Sequence, residues 1–236
     1  MAKSSAASTS RPHLEIDGRI IGTDQPPYVI AEMSGNHNGD LNRALALVDA
    51  AADAGANALK LQTYTAETLT IDHDGPGFTV EGGLWSGRTL YDLYQEAHTP
   101  WDWHADVFAL GRKRGITVFS SPFDETAVDF LEDLNCPAYK IASFEAMDLP
   151  LIRKVASTGK PMIISTGMIT PDEIADTMAA ASDAGASRVA LLHCVSAYPA
   201  PIEASNIRTI PEMATRYNTV IGLSDHTPGT AVAVAA

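Results

Sequence analysis

The sequence predicts an α/β protein, a (β/α)8 TIM barrel truncated after its seventh strand. Three observations carry that expectation. From Tyr28 onward, apolar runs of strand length alternate with amphipathic helical stretches; polar residues gather at the C-terminal end of nearly every run; and the sequence stops at VAVAA, inside the helix expected after the seventh run. The alternation is what a parallel sheet with crossover helices demands. An open doubly wound sheet alternates in the same way, but several strand ends feeding one polar cluster is the behaviour of a barrel, whose site lies on that face.

The seven expected strands are YVIAEM, ALKLQTY, TVFSSP, AYKIAS, PMIISTG, VALLHCVS and VIGLSDH. Between them, DLNRALALVDAAADAG, DETAVDFLEDL and TPDEIADTMAAASDAG read as helices, each opening on a residue suited to an N-cap and two of them closing on Gly. Residues 65 to 100 break the rhythm, with several Gly and the aromatics Phe78, Trp85, Tyr91 and Tyr94, and read as a lid or substrate loop. Residues 1–26 are expected to be a tail and lead-in, with the small, polar MAKSSAASTSRP disordered, and residues 27–236 to be the incomplete barrel.

At 236 residues the chain has ample material for one core. Its 29 acidic and 16 basic residues give a net charge of -13, which repels nucleic acid and anionic membrane and favours a small molecule or another protein as partner. Two cysteines are too few for a disulfide framework, and with no apolar leader before the first strand the expected compartment is a reducing cytoplasm.

The strand ends supply the candidate chemistry: Glu32, Lys60 and Gln62, Ser120 and Ser121, Lys140 and Ser143, Ser165 and Thr166, His193 and Ser196, Ser224 and His226. Lys60 and Lys140 lie mid-strand among apolar neighbours, where an ammonium needs a partner because losing its hydration is costly. One reading is a structural ion pair with Glu32 or Glu145. The other is two charges facing a phosphate or a phosphate plus carboxylate, with Ser hydroxyls as short donors. Schiff-base chemistry would need one amine of lowered pKa rather than two held charged. Ser143, Ser165, Thr166 and Ser224 are each ordinary cap or turn residues alone but converge as a set, and Gly167 lets backbone amides approach a ligand. Among His37, His193 and His226, the last stands out because Asp225 adjoins it and Pro228 restrains its loop, as for an oriented metal ligand. Cys194 reads as a small core residue. Glu32 and Glu145 are either counter-ions to the lysines or acid–base groups.

Taken together, IAEMSGNHNGD, KLQTYTAETLT, GGLWSGRTLYDLYQEAHTPWDWH, SSPFDETAVDFLE, PAYKIASFE, STGM, HCVSAYPAP and GLSDHT resemble the sialic acid synthase family of phosphoenolpyruvate-condensing barrels, in family order from Tyr28 onward. The GGLW…LYDLY…TPWDWH insertion is most similar to the pseudaminic acid branch. The resemblance implies condensation of phosphoenolpyruvate with the open-chain aldehyde of an N-acetylated amino sugar, 2,4-diacetamido-2,4,6-trideoxy-altrose for that branch, or an N-acetylmannosamine-type sugar for the neuraminate and legionaminate branches. It implies that Lys60, Ser121, Lys140, Ser143, Ser165, Ser196, Tyr198 and Ser224 hold phosphoenolpyruvate, Ser196 standing where sialic acid synthases carry Asn. It implies His226 as one of two protein ligands to a divalent metal, manganese before magnesium or cobalt, while Glu32 and Glu145 are the catalytic candidates on the residue reading above. The second ligand is expected in an eighth strand, and an antifreeze-like domain that serves a homodimer partner's site is absent from this sequence. Trp85 and Tyr91 are candidates for reading the sugar. Two other classes stay open: a barrel remnant that binds the anion without turnover, and another phosphate-handling barrel such as an aldolase or isomerase.

Overall fold

A computed structural model describes residues 11–82 and 85–236. Most of the disordered tail expected at the N-terminus lies outside the described residues. The lead-in that follows is a β-hairpin, β1 (His13–Ile16) and β2 (Arg19–Gly22), which the sequence reading did not assign. Asp17 and Gly18 both have positive φ, the backbone that an Asp-Gly hairpin turn supplies. Leu14 and Ile16 are buried, and the Thr117 hydroxyl donates to the Asp17 carboxylate at 3.1 Å. Because Thr117 opens its strand, the hairpin covers the end of the sheet where strands begin, opposite the polar cluster.

The seven expected strands all form. They are β3 (Ile30–Glu32), β4 (Ala58–Thr63), β5 (Thr117–Pro122), β6 (Tyr139–Ile141), β7 (Met162–Ser165), β8 (Val189–Cys194) and β9 (Val220–Ser224), parallel and paired in sequence order. The helices are α1 (Leu41–Asp53), α2 (Ala66–Leu69), α3 (Leu90–Ala97), α4 (His104–Arg114), α5 (Glu125–Asp133), α6 (Leu149–Ser157), α7 (Pro171–Asp183), α8 (Thr209–Tyr217) and α9 (Ala231–Ala235). Asp40, Asp124 and Thr170 cap α1, α5 and α7 as the sequence suggests, Thr170 forming a reciprocal box with Glu173.

Strands in the middle of the row are buried along their whole length, as in β7, because helices cover one face and the sheet's own curl covers the other. The curl brings distant strands together: the loop after β8 places Tyr198 within the electrostatic reach of Glu32 on β3. The terminal strands β3 and β9 are only half-buried. Among the described residues no helix is long and apolar enough to cross a membrane.

Candidate active site

Alternation along β4 sends Lys60 to one face and Leu61 and Thr63 to the other, so one strand supplies both core and site. Glu32 and Lys60 are direct register partners on β3 and β4. The Lys60 ammonium lies 2.8 Å from a Glu32 carboxylate oxygen and donates to the Ser121 hydroxyl at 3.3 Å. Lys60 is therefore the structural pair that the sequence allowed, with one difference: its side chain is 5% exposed and that of Glu32 is 53% exposed. Lys140, on β6, is 8% exposed and has no ion-pair or hydrogen-bond partner among the described residues. Burial first, and then repulsion from Lys60, push its amine down to about 8. An ammonium so placed is short of negative charge.

The hydroxyls complete the polar floor. Ser143 accepts from the Gly167 amide at 3.2 Å. Ser165 is fully buried and its hydroxyl has no partner among the described residues, an orphan of the kind that a ligand satisfies. A Cβ at Gly167 would lie 2.6 Å from the Ser196 hydroxyl and 2.9 Å from the Cys194 carbonyl, so only Gly lets the loop after β7 come this near β8. Cys194, read as a core residue, is buried but also central: its sulfur is 3.8 Å from the Ser196 hydroxyl and 3.9 Å from His226 Nδ1. Burial raises the thiol, yet hydrogen bonding with His226, Ser143, Ser196 and Ser224 outweighs this and brings it to about 7. Its position at the end of β8, two residues before Ser196, is the signal that could have found it.

Glu145 follows β6 in a short turn of 3-10 helix. One of its carboxylate oxygens is buried without a partner, and burial raises its pKa against the opposing pull of Lys140.

His226 is oriented differently from the sequence expectation. Nδ1 donates to the Val195 carbonyl at 2.9 Å, while Asp225 accepts from the Thr227 amide and hydroxyl and so shapes the loop instead. With Nδ1 protonated, Nε2 keeps a lone pair free for a cation. Tyr198, 69% exposed, lies against the His226 ring at 4.2 Å between centroids. One imidazole does not make a metal site, and no three His, Cys, Asp or Glu gather as one among the described residues.

Several strand-end residues stay outside the cluster. Ser120 bonds to Thr63 on the other face of the strand, His193 to the Ser205 carbonyl, Gln62 to Ser34 and Thr166 to the Leu192 carbonyl. In the 65–100 segment, the Tyr91 hydroxyl is engaged by Glu67 at 2.5 Å, and Trp85 is exposed. Tyr94 is the aromatic there that feels Glu145. A cavity of about 720 Å³ lies elsewhere, lined by residues of β8, α8 and α9. We assign the site by its chemistry, because that cavity lacks the unpaired cation and orphan hydroxyl.

Residues 47–236 match the NeuB family. The chain is 46% identical over 205 residues to pseudaminic acid synthase of Helicobacter pylori, covering 87% of this chain and 60% of that protein. It is 42% identical over 207 residues to pseudaminic acid synthase of Campylobacter jejuni serotype O:23/36, covering 88% and 60%. The N-acetylneuraminic acid synthetase structure from Leptospira borgpetersenii, in complex with citrate, superposes with a TM-score of 0.83 at 30% identity, covering 94% of this chain and 73% of that one. The chain thus spans about 60% of the length of the curated relatives it matches.

Proposed function

Because this chain belongs to the NeuB family, we propose that it carries the condensation of phosphoenolpyruvate with the open-chain aldehyde of an N-acetylated amino sugar, releasing phosphate and a nine-carbon 2-keto acid. Its likeness to two pseudaminic acid synthases favours 2,4-diacetamido-2,4,6-trideoxy-altrose as the sugar. The observation that carries the reading is Lys140, a buried cation with no ion-pair partner among the described residues, beside a second buried cation, Lys60.

In this scheme Lys60 and Lys140 take the phosphate and carboxylate, with the hydroxyls of Ser121, Ser143, Ser165, Ser196, Tyr198 and Ser224 as short donors. Carbon 3 of the enolpyruvate bonds to the aldehyde carbon, and a proton reaches the aldehyde oxygen as it gains charge. Glu145 is suited to hold that proton, since burial favours its neutral form. Water then adds at carbon 2 and gives up a proton to Glu32. The bond between carbon 2 and the phosphate-ester oxygen then breaks with its electron pair on the departing phosphate, which the lysines stabilise, while the new carbon-2 hydroxyl gives its proton to that phosphate and becomes the keto group. The manganese expected from the resemblance is assigned no step: His226 would hold it, and among the described residues no three His, Cys, Asp or Glu gather as a metal group. A reducing, cytoplasmic setting is consistent with two free cysteines.

Lys140 and Ser165 would serve equally a second reading, an anion-binding barrel without turnover. Phosphate release from phosphoenolpyruvate, measured with added manganese and either the diacetamido sugar or N-acetylmannosamine, separates the readings. Release with the first sugar alone supports the proposal; release with the second points to the neuraminate branch; none with either leaves binding only.

A further inference from the structure

The Thr99–His104 stretch ends the long insertion after β4, and it is fastened at several points to elements that carry the site. The loop after β3 lies against the last residue of α3, since a Cβ at Gly35 would be 3.1 Å from the Ala97 carbonyl. His37 in that loop is fully buried. Its Nδ1 accepts from the Gly39 amide at 3.1 Å, which leaves Nε2–H to donate to the Thr99 hydroxyl at 3.2 Å. Its ring also meets Trp103 edge-on at 5.4 Å.

His104, equally buried, uses the opposite tautomer. Nδ1–H donates to the Pro100 carbonyl at 3.2 Å, and Nε2 accepts from the Thr63 hydroxyl at 2.8 Å, which in turn accepts from Ser120 at 2.6 Å. The Trp101 indole donates to the Tyr64 carbonyl at 3.3 Å and stacks on Phe130 of α5 at 4.7 Å. Beginning two residues before Thr99 and running back along the chain is α3, whose Tyr94 sits edge-on to Tyr64 at 6.1 Å and within electrostatic reach of Glu145.

We propose that this stretch is a clasp, with Thr99 and His37 as positioning residues that hold α3, and Tyr94 on it, over the sugar half of the site. The assignment of a sugar subsite rests on the proposed condensation; the clasp does not. Two neutral histidines fixed in opposite tautomers tie one short segment to the loop after β3 and to the ends of β4 and β5. A packing role alone would be served by apolar side chains.

The test uses the full chain with Thr99→Val, which removes the acceptor, and Thr99→Ser, which restores it. Amide hydrogen exchange over residues 89–98 is expected to accelerate at least tenfold in T99V, to return to the parent rate in T99S, and to stay unchanged in β4 and β5. His37→Asn, which keeps an acceptor for Gly39 but loses reach to Thr99, is the second variant should T99V not fold, with the same local loosening expected. Unchanged exchange in residues 89–98, or acceleration shared by β4 and β5, overturns the clasp. With turnover, T99V is expected to raise KM for the diacetamido sugar severalfold and leave KM for phosphoenolpyruvate as it was. Equal shifts in both KM values overturn the assignment to the sugar half. If the parent chain releases no phosphate, the condensation reading fails, while the exchange data still decide the clasp.

Discussion

Raising the pH from 7 to 9 should weaken phosphoenolpyruvate binding about tenfold through one residue, Lys140. Burial and the neighbouring Lys60 bring its amine down to about 8. In the free protein the amine is then roughly nine-tenths protonated at pH 7 and one-tenth at pH 9. A multiply charged anion binds the protonated form, so the apparent Kd scales with the reciprocal of that fraction. The ligand contributes little in this window, because a phosphate monoester's second pKa is about 6. Calorimetry at pH 7, 8 and 9, in buffers of different ionisation enthalpy, reads both the affinity and an uptake of about half a proton per ligand at pH 8. Lys140→Gln should bind weakly and without that pH slope. An affinity that is flat from pH 7 to 9 in the parent chain would refute the account of Lys140 as the unpaired cation. The sign for folding runs the other way. The folded pKa lies below the unfolded value, so the unfolded chain holds the extra proton between pH 8 and about 10.5, and stability from this residue rises across that window by about 3 kcal/mol.

Three further outcomes are expected. Burial lowers His104 to about 4, below its ordinary 6.5, so its contribution to stability is complete above pH 6.5 and falls as the pH drops toward 4, by about 2 kcal/mol at pH 5; urea midpoints should show this loss in the parent and not in His104→Gln, and equal losses in both would contradict a buried neutral imidazole. Ser165→Ala removes a buried hydroxyl with no partner, so thermal denaturation should show a fold unchanged or stabilised by about 1 kcal/mol, while phosphoenolpyruvate binds less tightly. Gly167→Ala should cost about 1–3 kcal/mol, and adding Ser196→Ala should recover only part of it because the Cys194 carbonyl still blocks the new methyl; full recovery would mean the backbone yields.

Apolar runs of strand length set between amphipathic helical stretches made all seven strands legible. The hairpin was legible too: Asp17-Gly18 between HLEI and RIIG is a turn signal, masked by the polar residues before it. Within the site, residue type was easier to read than partnership. Both lysines stood out among Leu and Ile, but that Glu32 reaches Lys60 and leaves Lys140 alone depends on the register of β3 on β4. Ser120 and Ser121 are neighbours in sequence yet face opposite ways, because a strand turns each successive side chain over. The group that orients His226 is a main-chain carbonyl, which every residue possesses and which no sequence pattern marks. Tyr91 and Tyr94 are three apart on one short helix, and only packing decides which meets Glu145.

In the proposed anion site, Glu32 touching Lys60 would act as an ion exchanger rather than an open socket. An arriving anion must evict a resident negative group before it wins that ammonium, and Glu32, half in water, can swing aside cheaply. A monovalent visitor merely swaps one charge for another and gains nothing there. A visitor bearing several charges could occupy Lys60 and Lys140 together, so on the proposed reading the carboxylate would sort ligands by valence before shape is consulted.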